Sequence, residues 1–211
     1  MYLSRLTLNP RDRNARRDLS SPYELHSTLV RLFAHVPQQA ERVLFRLERG
    51  ENRVLIQSRT RPDFSALPRG YCLHAECRDD YGEKLGAVVS GQRLAFRLLA
   101  NPTSRETLGE GSAKRKRRKP LLDGQAQEAW LRRKLTDEAG AQLVSGRAAI
   151  LDTQRNEKRG GRSNEGTQTH VPVLFEGVLV VGDPDRLRAA IENGIGSAKG
   201  YGFGLLSLAP A

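Results

Sequence analysis

The chain has 211 residues, with 35 Lys+Arg against 24 Asp+Glu and a formal net charge of +11. That length suits one larger domain or two small ones, and the charge selects a polyanionic partner: nucleic acid, an anionic membrane surface or an acidic protein. An aromatic content of 6% excludes a broad base-stacking platform, and no apolar run approaches the roughly 18 residues of a membrane span.

The opening Met1–Arg5 lacks a basic region followed by an apolar stretch, so no signal peptide is expected and the chain reads as cytoplasmic. Tyr2 to Pro10 is echoed by Leu94 to Pro102: Arg, Leu, Asn and Pro recur at matching places in two predicted strands, each ended by Asn-Pro. After the first copy, Arg11 to Arg17 reads as an Arg-rich loop. Ser21-Pro22-Tyr23-Glu24 then opens a helix with a capping Ser, Pro at the first helical position and Glu three residues after the cap. Leu25, Leu29, Leu32 and Phe33 form its buried stripe.

Strands are expected at Arg42–Leu47 and Arg53–Arg59, joined by a turn at Arg49–Asn52. A short helix near Asp63–Leu67 and a strand at Tyr71–Cys77 follow. Cys72 and Cys77 lie an odd number of positions apart in that strand, hence on opposite faces, and read as buried or half-buried thiols. After the second copy, Thr103 to Lys119 reads as a polar basic loop, and a helix follows at Gln125–Ala139 with Ala126, Ala129, Trp130 and Leu135 apolar. Strands at Arg147–Gln154 and Thr169–Val181 flank a polar connection, Arg155 to Gly166. Asp183-Pro184 opens a helix that Gly194 stops in a left-handed conformation, and Leu205–Leu208 is the last strand. Each half reads β-α-β-β-α-β. The fold class is therefore α+β, two tandem ferredoxin-like (RRM-like) domains at residues 1–90 and 91–211.

Four features could carry chemistry. His26 lies about 60° around the helix from Tyr23 at about 100° per residue, on the flank of the leucine stripe and near a helix N-terminus that suits phosphate. An imidazole near its ordinary pKa serves as general base or acid in RNA cleavage; a boundary histidine beside a packed tyrosine fits the same pattern. The run Lys114 to Lys119 places six like charges together, either a phosphate-contacting loop or a solvated linker, mobile when alone. Arg155, Lys158, Arg159 and Arg162 make a basic hairpin tip suited to an RNA stem, and Arg132 and Arg133 on the second long helix add phosphate contacts or form its solvent face. Last, Gly194 to Gly204 carries five glycines and Lys199, so its backbone can approach a phosphate at Gly196 and Gly200. It matches neither the dinucleotide nor the GxxxxGK[ST] pattern. His35, His74 and His170 are weaker candidates, and no metal-ligand spacing is visible, so no metal or other cofactor is expected.

These segments resemble the CasE family of CRISPR RNA-processing endoribonucleases of type I-E systems. The resemblance runs through Leu6-Thr7-Leu8-Asn9-Pro10, Arg16-Arg17-Asp18-Leu19, Pro22-Tyr23-Glu24-Leu25-His26, Arg97 to Pro102, Leu174-Phe175-Glu176-Gly177, and Gly194 to Ser207. It implies two ferredoxin-like domains and metal-independent cleavage at the base of a CRISPR repeat RNA hairpin, leaving a 5′-hydroxyl and a cyclic phosphate. It further implies that the enzyme stays with its product among the other subunits of the type I-E surveillance complex. His26 matches the family's catalytic histidine, Tyr23 its accompanying tyrosine, the glycine-rich stretch its RNA-contacting loop and Arg155 to Arg162 its stem-contacting hairpin. No family role attaches to Lys114–Lys119. The alternative from residues alone is a non-catalytic RNA-binding module of tandem ferredoxin-like domains, with an architectural subunit for acidic partners behind it.

Overall fold

In the computed structural model the first strand, β1 (Tyr2–Leu8), alternates as a half-covered strand should, turning Ser4, Leu6 and Leu8 inward. The structure describes residues 1–37, 41–48, 50–108, 115–151, 154–156 and 168–211. After β1 the expected Arg-rich loop is instead a helix, α1 (Arg13–Ser20), capped by Asp12, whose side chain accepts from the Ala15 amide. It buries only Ala15 and Asp18, too little apolar surface to show as a stripe. Asp18 is held by the Arg17 guanidinium and by the Tyr71 hydroxyl at 2.8 Å.

Helix α2 (Pro22–Val30) starts at the Ser21 cap as read, and Leu25, Leu29, Leu32 and Phe33 are all buried. The chain then tightens into a 3-10 turn, Arg31–Phe33, and His35 follows it on the surface. Strands β2 (Leu44–Glu48), β3 (Arg53–Ser58) and β4 (Cys72–Arg78) complete a sheet of order β2-β3-β1-β4, with every neighbour antiparallel. That order is the ferredoxin-like one. Arg49, in the expected turn between β2 and β3, lies outside the described residues. The second helix of this half shrinks to a 3-10 turn, Phe64–Ala66, because Pro68 forces Leu67 into extended geometry. Cys72 and Cys77 are half-buried free thiols.

A short helix, α3 (Tyr81–Gly86), leads to the second sheet, and its Tyr81 and Leu85 pack into the second core alongside Met1 and Leu3. Strand β5 (Arg93–Ala100) is the counterpart of β1. Beyond Asn101-Pro102 the expected loop is a hairpin, β6 (Thr103–Leu108) with β7 (Arg115–Pro120). Its strands carry Ser, Thr, Arg, Lys and Glu with no apolar alternation, so backbone pairing alone defines them. The Lys114–Lys119 run is therefore strand from Arg115 onward, and Lys114 lies outside the described residues. Helix α4 (Gly124–Asp137) buries Gln127, Trp130, Leu131 and Leu135; Ala126 is only half-buried and Ala129 is exposed. Gln127 is accommodated by donating to the Leu121 carbonyl.

Strand β8 (Ala141–Ile150) begins six residues before the expected Arg147. The ribbon continues as β9 (Gln154–Asn156) paired with β10 (Gln168–His170), then β11 (Val173–Val181), α5 (Pro184–Asn193) and β12 (Leu206–Pro210). The main sheet runs β12-β5-β11-β8, again antiparallel throughout and again ferredoxin-like. The echoed segments thus occupy the same inner place in their two sheets. Gly194 ends α5 at φ +72 and ψ 150, a positive-φ conformation that favours glycine but lies outside the left-handed helical region.

The two halves meet along β2. Arg46 is buried there, paired with Glu48 and donating to the carbonyls of Arg97 and Leu205. A buried guanidinium holds only when partnered on this scale. Leu44 packs on Gly194 and Phe45 on Gly202, where a Cβ would stand 3.1 Å from the Phe45 ring. The glycine-rich stretch is thereby set against α2 of the first half.

Candidate active site and nucleic-acid interface

The site forms where α2 meets the glycine-rich loop. That loop is closed at its base by a hydrogen bond from the Ile195 amide to the Gly204 carbonyl, and Gly204 in turn donates to the Leu99 carbonyl. Between them Lys199–Tyr201 makes a 3-10 turn flanked by Ala198 and Gly202, both left-handed. His26, half-buried, lies 5.9 Å from Phe45, ring centroid to ring centroid. Its Nε2 comes within 3.8 Å of where a Gly200 Cβ would stand, so the loop passes the ring with bare backbone. Together with Lys199, Arg31 and Arg42 they line a cavity of 480 Å³.

Burial pushes the His26 imidazole below its ordinary value, so at neutral pH the ring is in its basic, unprotonated form. Burial, and then the Arg42 cation, hold Lys199 below the usual lysine value, while Glu138 opposes the shift. Arg42 donates to the Asn193 carbonyl at the end of α5. Glu41 also borders the cavity, but its carboxylate is occupied by the backbone amides of Arg59 and Thr60 at 2.8 Å each. The cavity therefore offers one base and several cations, a set matched to a phosphodiester and a nearby hydroxyl.

His26, Lys199 and Gly200 thus share one wall of chemistry. Tyr23 sits one turn before His26 with 39% of its surface exposed and is not among the residues that line the cavity. Gly196 faces away from His26, toward Trp130. On α4, Arg132 is exposed and paired with Glu128, whereas Arg133 borders a separate cleft beside Gly196. Arg155 lies in β9, whose pairing with β10 makes the connection a hairpin, while Lys158, Arg159 and Arg162 lie outside the described residues.

Sequence reasoning passed over Arg31, Arg42 and Phe45. Arg31 escapes helical periodicity because the chain tightens to a 3-10 turn at that residue. His170, set aside on sequence, proves to be part of the loop's support: it is 8% exposed, with its ring 4.7 Å from Tyr201 and 5.7 Å from Phe203. The Asn101 amide donates to its Nδ1 at 3.0 Å, and burial lowers its pKa. His74 is exposed beside Glu76. Among the described residues no group of three or more His, Cys, Asp or Glu side chains is gathered as for a metal ion, and no helix is long and apolar enough to cross a membrane.

Comparison with known proteins identifies the family. The model of a family described as CRISPR associated protein matches residues 1–210. The CRISPR-associated endoribonuclease Cse3 of Thermus thermophilus is 38% identical over 223 residues, covering 100% of both chains. The CRISPR system Cascade subunit CasE of Escherichia coli is 34% identical over 220 residues, again covering 100% of both. A solved structure of Thermus thermophilus Cse3 bound to an RNA representing a pre-cleavage complex superposes with a TM-score of 0.80 at 39% identity, covering 99% of this chain and 98% of that one. With the sheet order, the glycine-rich loop and the histidine beside it all in place, the chain belongs to the CasE/Cse3 family of CRISPR-associated proteins.

Proposed function

We propose that this chain is an endoribonuclease that cuts CRISPR precursor RNA at the base of the repeat hairpin without a metal ion. It stays bound to the product as a subunit of the type I-E surveillance complex, in the cytoplasm. One observation carries the reading: His26 lies beside Lys199 and the bare backbone of Gly200 in a cavity between the two halves, in a chain whose relatives are named endoribonuclease and Cascade subunit.

His26 takes the proton of a ribose 2′-hydroxyl, and that oxygen attacks the adjacent phosphorus. The bond from phosphorus to the 5′ oxygen breaks, and the leaving oxygen takes a proton from solvent water, whose hydroxide takes up the proton that His26 then releases. The products are a 2′,3′-cyclic phosphate and a 5′-hydroxyl, with one proton removed and one returned. The Lys199 ammonium, with Arg31 at the cavity edge, offsets the charge that gathers on the phosphate oxygens, and Tyr23 orients the ribose or phosphate at the entrance.

Around this centre Arg132 and Arg133 on α4, the loop glycines Gly196 and Gly200, and Arg155, Lys158, Arg159 and Arg162 of the hairpin hold the RNA. The exposed Arg132–Glu128 pair is worth only about 0.3–0.5 kcal/mol, so a phosphate can displace the carboxylate. Such contacts position the RNA without reading its sequence.

A repeat RNA with a single 2′-deoxy nucleotide at the cut site tests the mechanism. It should bind as tightly as the all-ribose RNA and remain uncut. Cleavage of the substituted RNA would rule out attack by the 2′-oxygen.

A further inference from the structure

A second cleft, of 690 Å³, opens on the opposite flank of the glycine-rich loop. One wall is the β6–β7 hairpin, where Arg105 stands directly across from Arg118 and Ser104 across from Lys119. Like charges directly opposite in a strand pair are unfavourable. The other wall is α4, which contributes Arg133. Among the described residues none of these three arginines has a carboxylate within ion-pair distance, whereas nearby Lys134 is paired with Glu138. A hairpin that sets two uncompensated arginines side by side, facing a third, is built for an anion.

The floor shows what kind of anion. Trp130 is buried, and its ring edge lies 3.1 Å from where a Gly196 Cβ would stand, so no aromatic face is offered to a base. Affinity here comes from phosphates rather than stacking. A duplex stem is too wide for a cleft of this volume and is gripped from outside, whereas a single strand enters. Position supplies the last constraint. Gly196 and Ser197 border this cleft, and Lys199 and Gly200 border the His26 cavity. From Ser197 to Gly200 the chain spans at most about 11 Å. An RNA strand leaving the His26 cavity therefore reaches the arginines within a few nucleotides.

The geometry points to this cleft as the seat of the single-stranded RNA flank beside the cut, held through its phosphodiester backbone by Arg105, Arg118 and Arg133. This rests on the endoribonuclease reading above. The flank thereby adds affinity and directs the strand past His26, with no sequence preference of its own.

The test compares two RNAs, the repeat hairpin with its single-stranded flanks and the hairpin trimmed to the nucleotides around the cut. Each is titrated at several salt concentrations against the wild-type chain and the Arg105→Gln/Arg118→Gln variant. Relieving a like-charge pair favours the hairpin fold, and binding of the trimmed RNA reports that the variant is intact. The wild type should bind the flanked RNA more tightly than the trimmed one. The variant should lose about tenfold on the flanked RNA only, the effect of removing two exposed charge contacts. Its salt slope on that RNA should fall by about 1.4, for two phosphates on a single strand. A wild type that binds both RNAs equally, or a variant that weakens both alike or neither, overturns the flank assignment while leaving the endoribonuclease reading untouched. A wild type that neither binds nor cuts either RNA overturns both.

Discussion

Two histidines support the glycine-rich loop from different sides, and the same ring does different work in each place. His26 stands against Phe45 with its Nε2 toward Gly200 and an open cavity beside it. His170 is enclosed between Tyr201 and Phe203, with Asn101 on its Nδ1 and no partner for its Nε2 among the described residues. Burial lowers the pKa of both. A lowered pKa therefore does not by itself mark the reactive group; access to a cavity with cations opposite does. One ring acts on what enters the loop, and the other holds the loop in shape.

Substitution separates the roles of the two rings. His26→Ala should lower the single-turnover cleavage rate by about 10²–10⁴-fold, the usual range for a general base, while repeat RNA is still bound. Lys199→Met should cost on the order of 10²-fold in the same assay, since it removes one preorganised charge from the phosphate. His170→Ala should act on the fold instead, costing about 2 kcal/mol through the cavity it leaves, read as a lower Tm, with cleavage at low temperature reduced less than in Lys199→Met. If His170→Ala abolished cleavage in a fully folded protein, the division of labour would be wrong.

The pH dependence sharpens it further. His170 titrates below its ordinary value of 6.5 in the fold, so the unfolded chain takes up the proton first as pH falls. The stability held by the neutral ring is complete above about pH 6.5 and is lost as pH drops through the folded value. His170→Phe should flatten that loss in acid denaturation curves, whereas His26→Ala should remove the acid limb of the cleavage profile. The smallest effect is expected at Ala198, a left-handed residue at φ +61. Ala198→Gly should change stability by no more than about 0.5 kcal/mol, because relief of the left-handed strain is offset by added freedom in the unfolded chain.

How much of this was legible depends on what each segment buries. Strands β1, β5 and β11 bury residues at alternate positions over much of their length, and the echoed Asn-Pro ends marked an inner strand of each sheet. Both asparagines then serve as ties: the Asn9 side chain donates to Gly70 and Asn101 receives the Val171 amide. Helix α1 and the β6–β7 hairpin carried no such pattern, because one buries little beyond Ala15 and an ion-paired Asp18, and the other is almost wholly polar. His26 and the glycine-rich loop could each be singled out, but their meeting could not. It depends on β2 of the first half packing its Leu44 and Phe45 against Gly194 and Gly202 of the second, a long-range contact with no local signature. Arg42, which reaches the Asn193 carbonyl of the second half, was invisible for the same reason.

The central claim is most directly tested by incubating the purified chain with its cognate CRISPR repeat RNA in excess EDTA and mapping both product ends. One cut at the base of the hairpin is expected, leaving a cyclic phosphate and a 5′-hydroxyl, with cleavage by His26→Ala slower by about 10²–10⁴-fold under the same conditions. RNA that is bound tightly but left whole by the wild-type chain, or cut equally well by His26→Ala, would contradict it.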